Sequence, residues 1–68
     1  MFKVKNGFAN TGDLVEVISA VEAKVFLAIL IGETQNHVMH GDTLYDVYDI
    51  EKQTYRSHFH VTRVSIIK

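Results

Sequence analysis

The sequence predicts an all-β fold in a single domain that spans residues 1–68. Three observations lead to this prediction. Residues 55–61 alternate between two sets of side chains with the period of two that is typical of strands. The apolar pattern then shifts by one residue at positions 61–64, which indicates a turn between two strands. Residues 12–31 are rich in valine, isoleucine and phenylalanine, which are enriched in sheets.

The size and composition of the chain agree with one small domain. Its 68 residues allow a single core. A chain of this size buries only about 60% of the surface that its unfolded form exposes. No cysteine is present, so neither a disulfide nor a thiolate metal site can add stability. We therefore expect the stability of the fold to come from a compact core, from self-association or from a histidine-bound metal.

Residues 12–31 can be interpreted in two ways. As strands, DLVEVIS (13–19) and KVFLAILIGE (24–33) are two short runs that join around residues 20–23. As one helix at about 13–31, the segment would pack on a three- to four-stranded antiparallel sheet, which makes the fold α+β. The many β-branched residues favour strands because they lose rotamer freedom in a helix, but periodicity alone leaves both interpretations open.

The C-terminal half predicts a hairpin and a closing strand. LYDVYDI (44–50) and YRSHFHV (55–61) are strand-like runs, and EKQT (51–54) is the polar break between them. The last apolar run, VSII (64–67), is out of phase with the run before it, so a tight turn near residues 62–63 should separate them. Within residues 55–61, the alternation places Arg56, His58 and His60 on the face opposite Phe59.

These segments resemble the layout of small SH3-like β-barrels. In that superfamily a Gly-Asp pair opens the first strand, and an apolar strand that ends near a glycine follows. A hairpin, a one-turn 3₁₀ element and a short closing strand complete the fold. The matching positions are Gly12 and Asp13, the run 24–31, the hairpin strands 44–50 and 54–60, and VTR (61–63). The resemblance implies a small five-stranded SH3-like barrel, similar to many small phage and mobile-element proteins, over about residues 11–67.

Four histidines lie in two close pairs and are the candidate metal ligands. His58 and His60 would project from one strand face, and His37 and His40 lie in the polar stretch ETQNHVMHGDT (33–43), which is long for a barrel loop. Imidazoles suit zinc, nickel or copper, but a site needs three or four converging ligands. Because no known metal-binding motif is present, we predict no metal and no cofactor.

The apolar run VFLAILI (25–31) predicts a protein-binding surface. In a barrel with one interior, the outward side chains of this run must be covered or exposed, and an exposed apolar stripe marks an interface. The outward set is either Phe26, Ala28 and Leu30, or Val25, Leu27, Ile29 and Ile31. We expect the apolar contact at Phe26, Leu27 and Ile29, and an aromatic and polar face at Tyr45, Tyr48, Arg56 and His58.

The predicted function is a non-catalytic interaction module that binds a protein partner or forms a homo-oligomer, such as an accessory protein of a phage or mobile element. The alternative is a small nucleic-acid-binding barrel that uses an Arg, His and Tyr face. The formal net charge is −1, and Asp46, Asp49 and Glu51 crowd the same hairpin, so contacts with phosphates would be weak.

Neither an enzyme nor a membrane protein is expected. No nucleophile–base pair and no glycine-rich phosphate loop stands out in the sequence. The longest apolar run is far shorter than the ~20 residues of a membrane helix, and no signal-peptide pattern follows Met1. With no cysteine present, we expect a cytoplasmic protein.

Overall fold

The computed structural model describes residues 1–35 and 43–67. Within them, seven strands form two antiparallel sheets, and one 3₁₀ turn lies between the last two strands. The strands are β1 (Phe2–Val4), β2 (Gly7–Ala9), β3 (Leu14–Ser19), β4 (Lys24–Glu33), β5 (Leu44–Asp49), β6 (Thr54–His60) and β7 (Val64–Ile66). Strands β1 and β2 form a small sheet, and the other five form a sheet in the order β6-β5-β4-β3-β7.

The all-β prediction is confirmed for this part of the chain, and the alternative α+β fold is wrong. Strands β3 and β4 occupy the segment in which that alternative places a helix. In β3, Val15 and Val17 are buried while Glu16 between them is exposed, as a half-buried strand requires. Strand β4 is apolar on both sides because one side faces the core and the other forms an apolar surface.

The two long hairpins share one turn geometry. In the β3–β4 turn, Ser19 Oγ accepts a hydrogen bond from the Glu22 N–H at 3.2 Å. In the β5–β6 turn, Asp49 Oδ1 accepts one from the Lys52 N–H at 3.1 Å. Side-chain acceptors of this kind stabilise a turn in a chain that has no proline. Each turn ends in a residue with a positive φ: Ala23 (54°) and Gln53 (52°).

A β-bulge in β6 changes which of its side chains face the core. Ser57 and His58 together lie opposite the single residue Asp46 of β5. His58 has a φ of 69°, in the left-handed region that favours glycine. The extra residue turns Arg56 to the same side as Phe59, and the two side chains are in contact. The predicted strict alternation, with Arg56 and Phe59 on opposite faces, is therefore wrong.

The predicted tight turn before the last strand is confirmed. Val61–Arg63 form one 3₁₀ turn between β6 and β7. At its start, Nδ1 of His60 accepts a hydrogen bond from the Thr62 N–H at 3.2 Å. The turn resets the alternation, so that Val64 at the start of β7 is buried.

Hydrophobic patterning does not predict the hairpin of β1 and β2, because each strand has only three residues. The hairpin covers part of the core with the buried side chains of Val4 and Ala9. In its turn, Asn6 Oδ1 accepts a hydrogen bond from the Ile66 N–H at 2.8 Å, and Asn6 Nδ2 donates one to the Ile66 C=O at 3.1 Å. This side chain satisfies both backbone groups of an edge residue, as a neighbouring strand would.

Tyr45 is a central side chain of the core and is only 2% exposed. Its ring packs edge-to-face on Phe2, with centroids 5.8 Å apart, and its hydroxyl donates a hydrogen bond to the Lys3 C=O. Burial raises the pKa of Tyr45, and the negative charge of Glu33 adds to the effect. The rest of the buried cluster consists of Val4, Ala9, Val15, Val17, Phe26, Ala28, Leu30, Val47 and Val64.

The two edges of the large sheet differ in how they are covered. Along β7, the N-terminal hairpin supplies Asn6, and the Lys5 N–H donates a hydrogen bond to the Val64 C=O at 2.7 Å. Strand β6 pairs with β5 alone, so its other edge has no strand partner within residues 1–35 and 43–67. Hydrogen-bonded closure of the sheet into a barrel is not observed in this part of the chain.

Replacing Asn6 with alanine should lower the free energy of unfolding by about 1–2 kcal/mol, because the two hydrogen bonds to Ile66 are lost. Asn6→Asp keeps the acceptor and loses the donor, so its stability should fall between the other two. Urea denaturation followed by circular dichroism measures all three chains. Equal stabilities would show that this side chain does not hold the hairpin on β7.

Candidate interaction surfaces

The outer side of the large sheet carries a continuous apolar row. The strand register places Leu14 beside Ile29, Ile29 beside Tyr48, and Tyr48 beside Tyr55. The rings of Tyr48 and Tyr55 are in edge-to-face contact, with centroids 4.9 Å apart. Leu14 and Tyr55, at the two ends of the row, are 41% and 74% exposed. The row thus runs from β3 to β6 and is open to solvent at both ends.

A second apolar group adjoins this row. Val25, Leu27 and Ile50 line a shallow depression of about 320 Å³. The Ile50 N–H donates a hydrogen bond to the Leu27 C=O at 3.4 Å, which places Ile50 beside Leu27, and both side chains are exposed. We call the combined surface the outer face; its members are Leu14, Val25, Leu27, Ile29, Tyr48, Ile50 and Tyr55.

Charged residues of both signs surround the outer face. Glu16 lies opposite Leu27 in the neighbouring strand. Lys24 and Glu51 form an exposed ion pair, with Nζ and Oε1 3.6 Å apart. An apolar centre with a polar rim is the usual composition of a protein–protein interface.

The structure places Leu27, Ile29 and Tyr48 on the outer face, and the exposed set of β4 is the one that contains Val25 and not Phe26. Leu14 and Ile50 were not among the predicted contact residues. Their place on this surface follows from strand register, which no local pattern in the sequence specifies.

Phe26 and Tyr45 are 5% and 2% exposed, because they point to the core side of β4 and β5. This corrects the prediction that these two side chains lie at the surface. The predicted aromatic and polar face does not form either. Tyr45 is in the core and Tyr48 is on the outer face, while Arg56 and His58 lie along a groove elsewhere.

Arg56 connects the two hairpin turns through an ion-pair network. Its Nη1 lies 3.0 Å from Glu22 Oε1 and 3.2 Å from Asp49 Oδ2, and Asp49 is only 1% exposed. The guanidinium also lies over the ring of Phe26, 4.6 Å from the centroid, and 5.4 Å from that of Phe59. A cation at this distance from an aromatic ring is attracted by the negative face of the ring. Because two carboxylates compensate the charge of Arg56, this side chain is a poor phosphate ligand.

Glu22 is the second junction of the network. Its carboxylate accepts a hydrogen bond from Lys52 Nζ as well as from Arg56. The hydrogen bonds from Lys52 and from Arg56 lower the pKa of Glu22 from 4.5 to about 2. No local motif in the sequence marks this residue, because its partners are 30 and 34 positions away.

A groove of about 430 Å³ separates the free edge of β6 from the β3–β4 turn. We call it the seam groove; it is lined by residues 18–21, by residues 56–60 and by Arg63. None of these lining residues is an aspartate or a glutamate. In the part of the chain that the structure describes, Arg63 is exposed and forms no ion pair.

His58 and His60 both line the seam groove. His37 and His40, the other two candidate metal ligands, lie outside the described residues. Among the residues that are described, no group of three or more His, Cys, Asp or Glu side chains is arranged to hold a metal ion. His60 instead caps the 3₁₀ turn through its Nδ1.

Comparisons of the chain with protein-family models, with curated proteins and with solved structures found no match. The resemblance to SH3-like barrels therefore stays a prediction, and the function has to be inferred from the two surfaces. No helix within residues 1–35 and 43–67 is long and apolar enough to cross a membrane.

The Glu22 network predicts a specific acid sensitivity. The folded-state pKa of about 2 lies below the ordinary value of 4.5, so the contribution of Glu22 to stability is complete above about pH 4.5 and is lost as the pH falls toward 2. Glu22→Gln should therefore flatten the loss of unfolding free energy between pH 4.5 and 2, measured by urea denaturation at several pH values. Glu16→Gln, on the exposed side of β3, is the matched control and should keep the original slope. An unchanged slope in Glu22→Gln would contradict the network.

Removing the Arg56 cation should be costly because Asp49 is buried. Arg56→Met retains an unbranched chain between Phe26 and Phe59 but leaves Asp49 unpaired, so the free energy of unfolding should fall by about 3 kcal/mol. The double variant Arg56→Met/Asp49→Asn removes the buried charge and keeps a turn acceptor, so it should be more stable than Arg56→Met alone. Thermal denaturation of both variants measures the difference. A double variant that is less stable than the single one would show that Asp49 acts chiefly through other contacts.

Proposed function

We propose that this protein is a non-catalytic protein-interaction module that self-associates through its outer face. The main support for the proposal is the apolar row on the outer face, which is contiguous and is exposed at its ends. The row consists of Leu14, Ile29, Tyr48 and Tyr55, and Leu27 and its neighbours lie beside it. Exposed patches of this kind on small proteins mark interaction sites. Tyrosine at the centre of such a patch supplies a large contact area with a polar end.

A second copy of the chain is the partner that fits this surface best. Antiparallel sheets pack face to face at a separation of about 10 Å, with their apolar side chains interdigitating. A two-fold contact brings the same patch of each copy together, which requires a self-complementary surface. Lys24, Glu51 and Glu16 place both charge signs around the outer face, which supports such a contact. Covering this face would also add apolar burial to a chain that is small and has no disulfide.

The SH3-like layout is part of the proposal. The five-strand order and the 3₁₀ turn at Val61–Arg63 before the closing strand support it. The absence of cysteine supports a cytoplasmic location, where disulfides are rare.

A nucleic-acid-binding role has weaker support. The predicted Arg, His and Tyr face is divided between the core, the outer face and the seam groove. Arg56, its central cation, is paired with Glu22 and Asp49. Phosphate binding depends on uncompensated cations, and the formal net charge of the chain is −1.

The substitution Leu27→Glu tests the proposal. A charge at the centre of the outer face should raise the dissociation constant of the dimer about 30-fold or more, which corresponds to at least about 2 kcal/mol. Sedimentation equilibrium over a range of protein concentrations gives the mass and this constant, and circular dichroism checks that the fold is retained.

Phe8→Glu is the matched control, because Phe8 lies on the small sheet and is an apolar residue about as exposed as Leu27. This variant should dimerise like the unmodified chain. An unmodified chain that remains monomeric at millimolar concentration, or a Leu27→Glu variant that dimerises normally, would overturn the proposal.

A further inference from the structure

The seam groove exists because β7 is too short to accompany β3 along its whole length. Strand β7 pairs with residues 15–17 of β3, whereas β4 pairs with β3 as far as Ser19. Within residues 1–35 and 43–67, the end of β3 therefore has no strand partner on the side where β7 stops. Across the groove, β6 pairs with β5 alone, so its outer edge is also without a strand partner in the described part of the chain. The groove thus lies between the end of β3 and the outer edge of β6.

We propose that the seam groove binds an extended acidic segment of a partner protein, which adds a strand to the free edge of β6. An exposed strand edge is a template for an incoming peptide, because its unpaired N–H and C=O groups form main-chain hydrogen bonds with any extended chain. The volume of about 430 Å³ is within the range of ligand pockets and admits a short extended segment. This site adjoins the outer face at Ile18, which lies opposite Val25, but it is formed within one chain and does not depend on self-association.

The charge of the groove selects an acidic segment. Arg63 lines it, and none of its lining residues within the described part of the chain is an aspartate or a glutamate. Arg56 adds little to this selection because Glu22 and Asp49 already compensate it. Arg63 is then the cation that discriminates between acidic and basic segments, since a fixed charge at the rim of a binding site chiefly determines partner choice.

Apolar side chains supply the second element of recognition. Phe59 is half-buried in the groove, and Val21 at its rim is 96% exposed. In an added strand, successive side chains point to opposite sides. A segment that alternates acidic and β-branched residues therefore presents its carboxylates to Arg63 on one side and its apolar groups to these residues on the other.

The bulge in β6 fits the same role. His58 adopts a φ of 69° without being glycine, a conformation that costs roughly 1–2 kcal/mol relative to an extended residue. Bulges are frequent next to binding sites, where they redirect a side chain. Here the bulge places Ser57 and His58 along the groove, with Ser57 Oγ and His58 Nδ1 3.0 Å apart.

Fluorescence anisotropy with three synthetic peptides tests this proposal. The first is a fluorescein-labelled heptapeptide of alternating valine and glutamate. The second replaces each glutamate with lysine, and the third carries N-methyl groups on alternate backbone amides along one edge. The first should bind, and the lysine peptide should bind at least about tenfold more weakly because its charge repels Arg63. The N-methylated peptide should not bind, because its edge can no longer donate hydrogen bonds to β6.

Variants of the protein locate the site. Arg63→Glu should weaken binding of the glutamate peptide about tenfold, and Arg63→Gln, which removes the charge without reversing it, should weaken binding by a smaller factor. Leu27→Glu should bind the peptide normally, which separates a failure here from a failure of the outer-face proposal. Amide chemical shifts of residues 55–60 in nuclear magnetic resonance spectra should change on binding.

Four results would overturn the inference. These are equal affinity for the glutamate and lysine peptides, equal affinity for the N-methylated peptide, unchanged binding in Arg63→Glu, and tighter binding of a ten-nucleotide oligothymidylate than of the glutamate peptide. The last result would assign the groove to single-stranded nucleic acid.

Discussion

The arrangement of this small protein depends on one side chain, Arg56, which ties the β3–β4 turn to the hairpin of β5 and β6 in addition to the backbone hydrogen bonds between β4 and β5. The bulge at Ser57 and His58 turns Arg56 toward the core side, over the ring of Phe26. From there its guanidinium reaches Glu22 in the β3–β4 turn and Asp49 at the end of β5. Ion pairs of this kind seldom add much net stability, because the buried charges lose their hydration. We therefore expect the network to favour one arrangement, because the buried Asp49 is costly unless Arg56 is in place.

The same arrangement explains why the molecule has two candidate surfaces of different character. Strand β4 is apolar on both sides, so burying one side in the core leaves Leu27 and Ile29 on the outer face. The short β7 and the bulged β6 leave the seam groove open at another side of the sheet. The first surface suits contact between sheets, and the second suits an extended chain. The two surfaces share no residue, but they adjoin where Ile18 lies opposite Val25.

Most of the strand and turn positions could be predicted from the amino-acid pattern, because strands and turns depend on local properties of the chain. The run of β-branched residues in β3 and β4 and the phase shift at Val61–Arg63 are such properties. The side of each strand that faces the core was harder to predict. In β4 either set of alternate residues could face the core, so the pattern does not show that Phe26 is buried. In β6 no glycine marks the bulge, and His58 gives no local signal of its positive φ.

The linear order of residues favoured an all-β chain and predicted the C-terminal hairpin and a short turn before the last strand, because backbone preference and side-chain period act over a few neighbouring positions. For residues 13–31 it left strands and a helix both open. It was not sufficient to specify the surfaces. Asn6 holds Ile66 across 60 positions, and Glu22 reaches Arg56 across 34. The outer face and the seam groove likewise arise from strand register, a bulge and a missing strand partner. These features exist only once distant segments pack, because each depends on which residues meet across the sheet and on which edges remain uncovered.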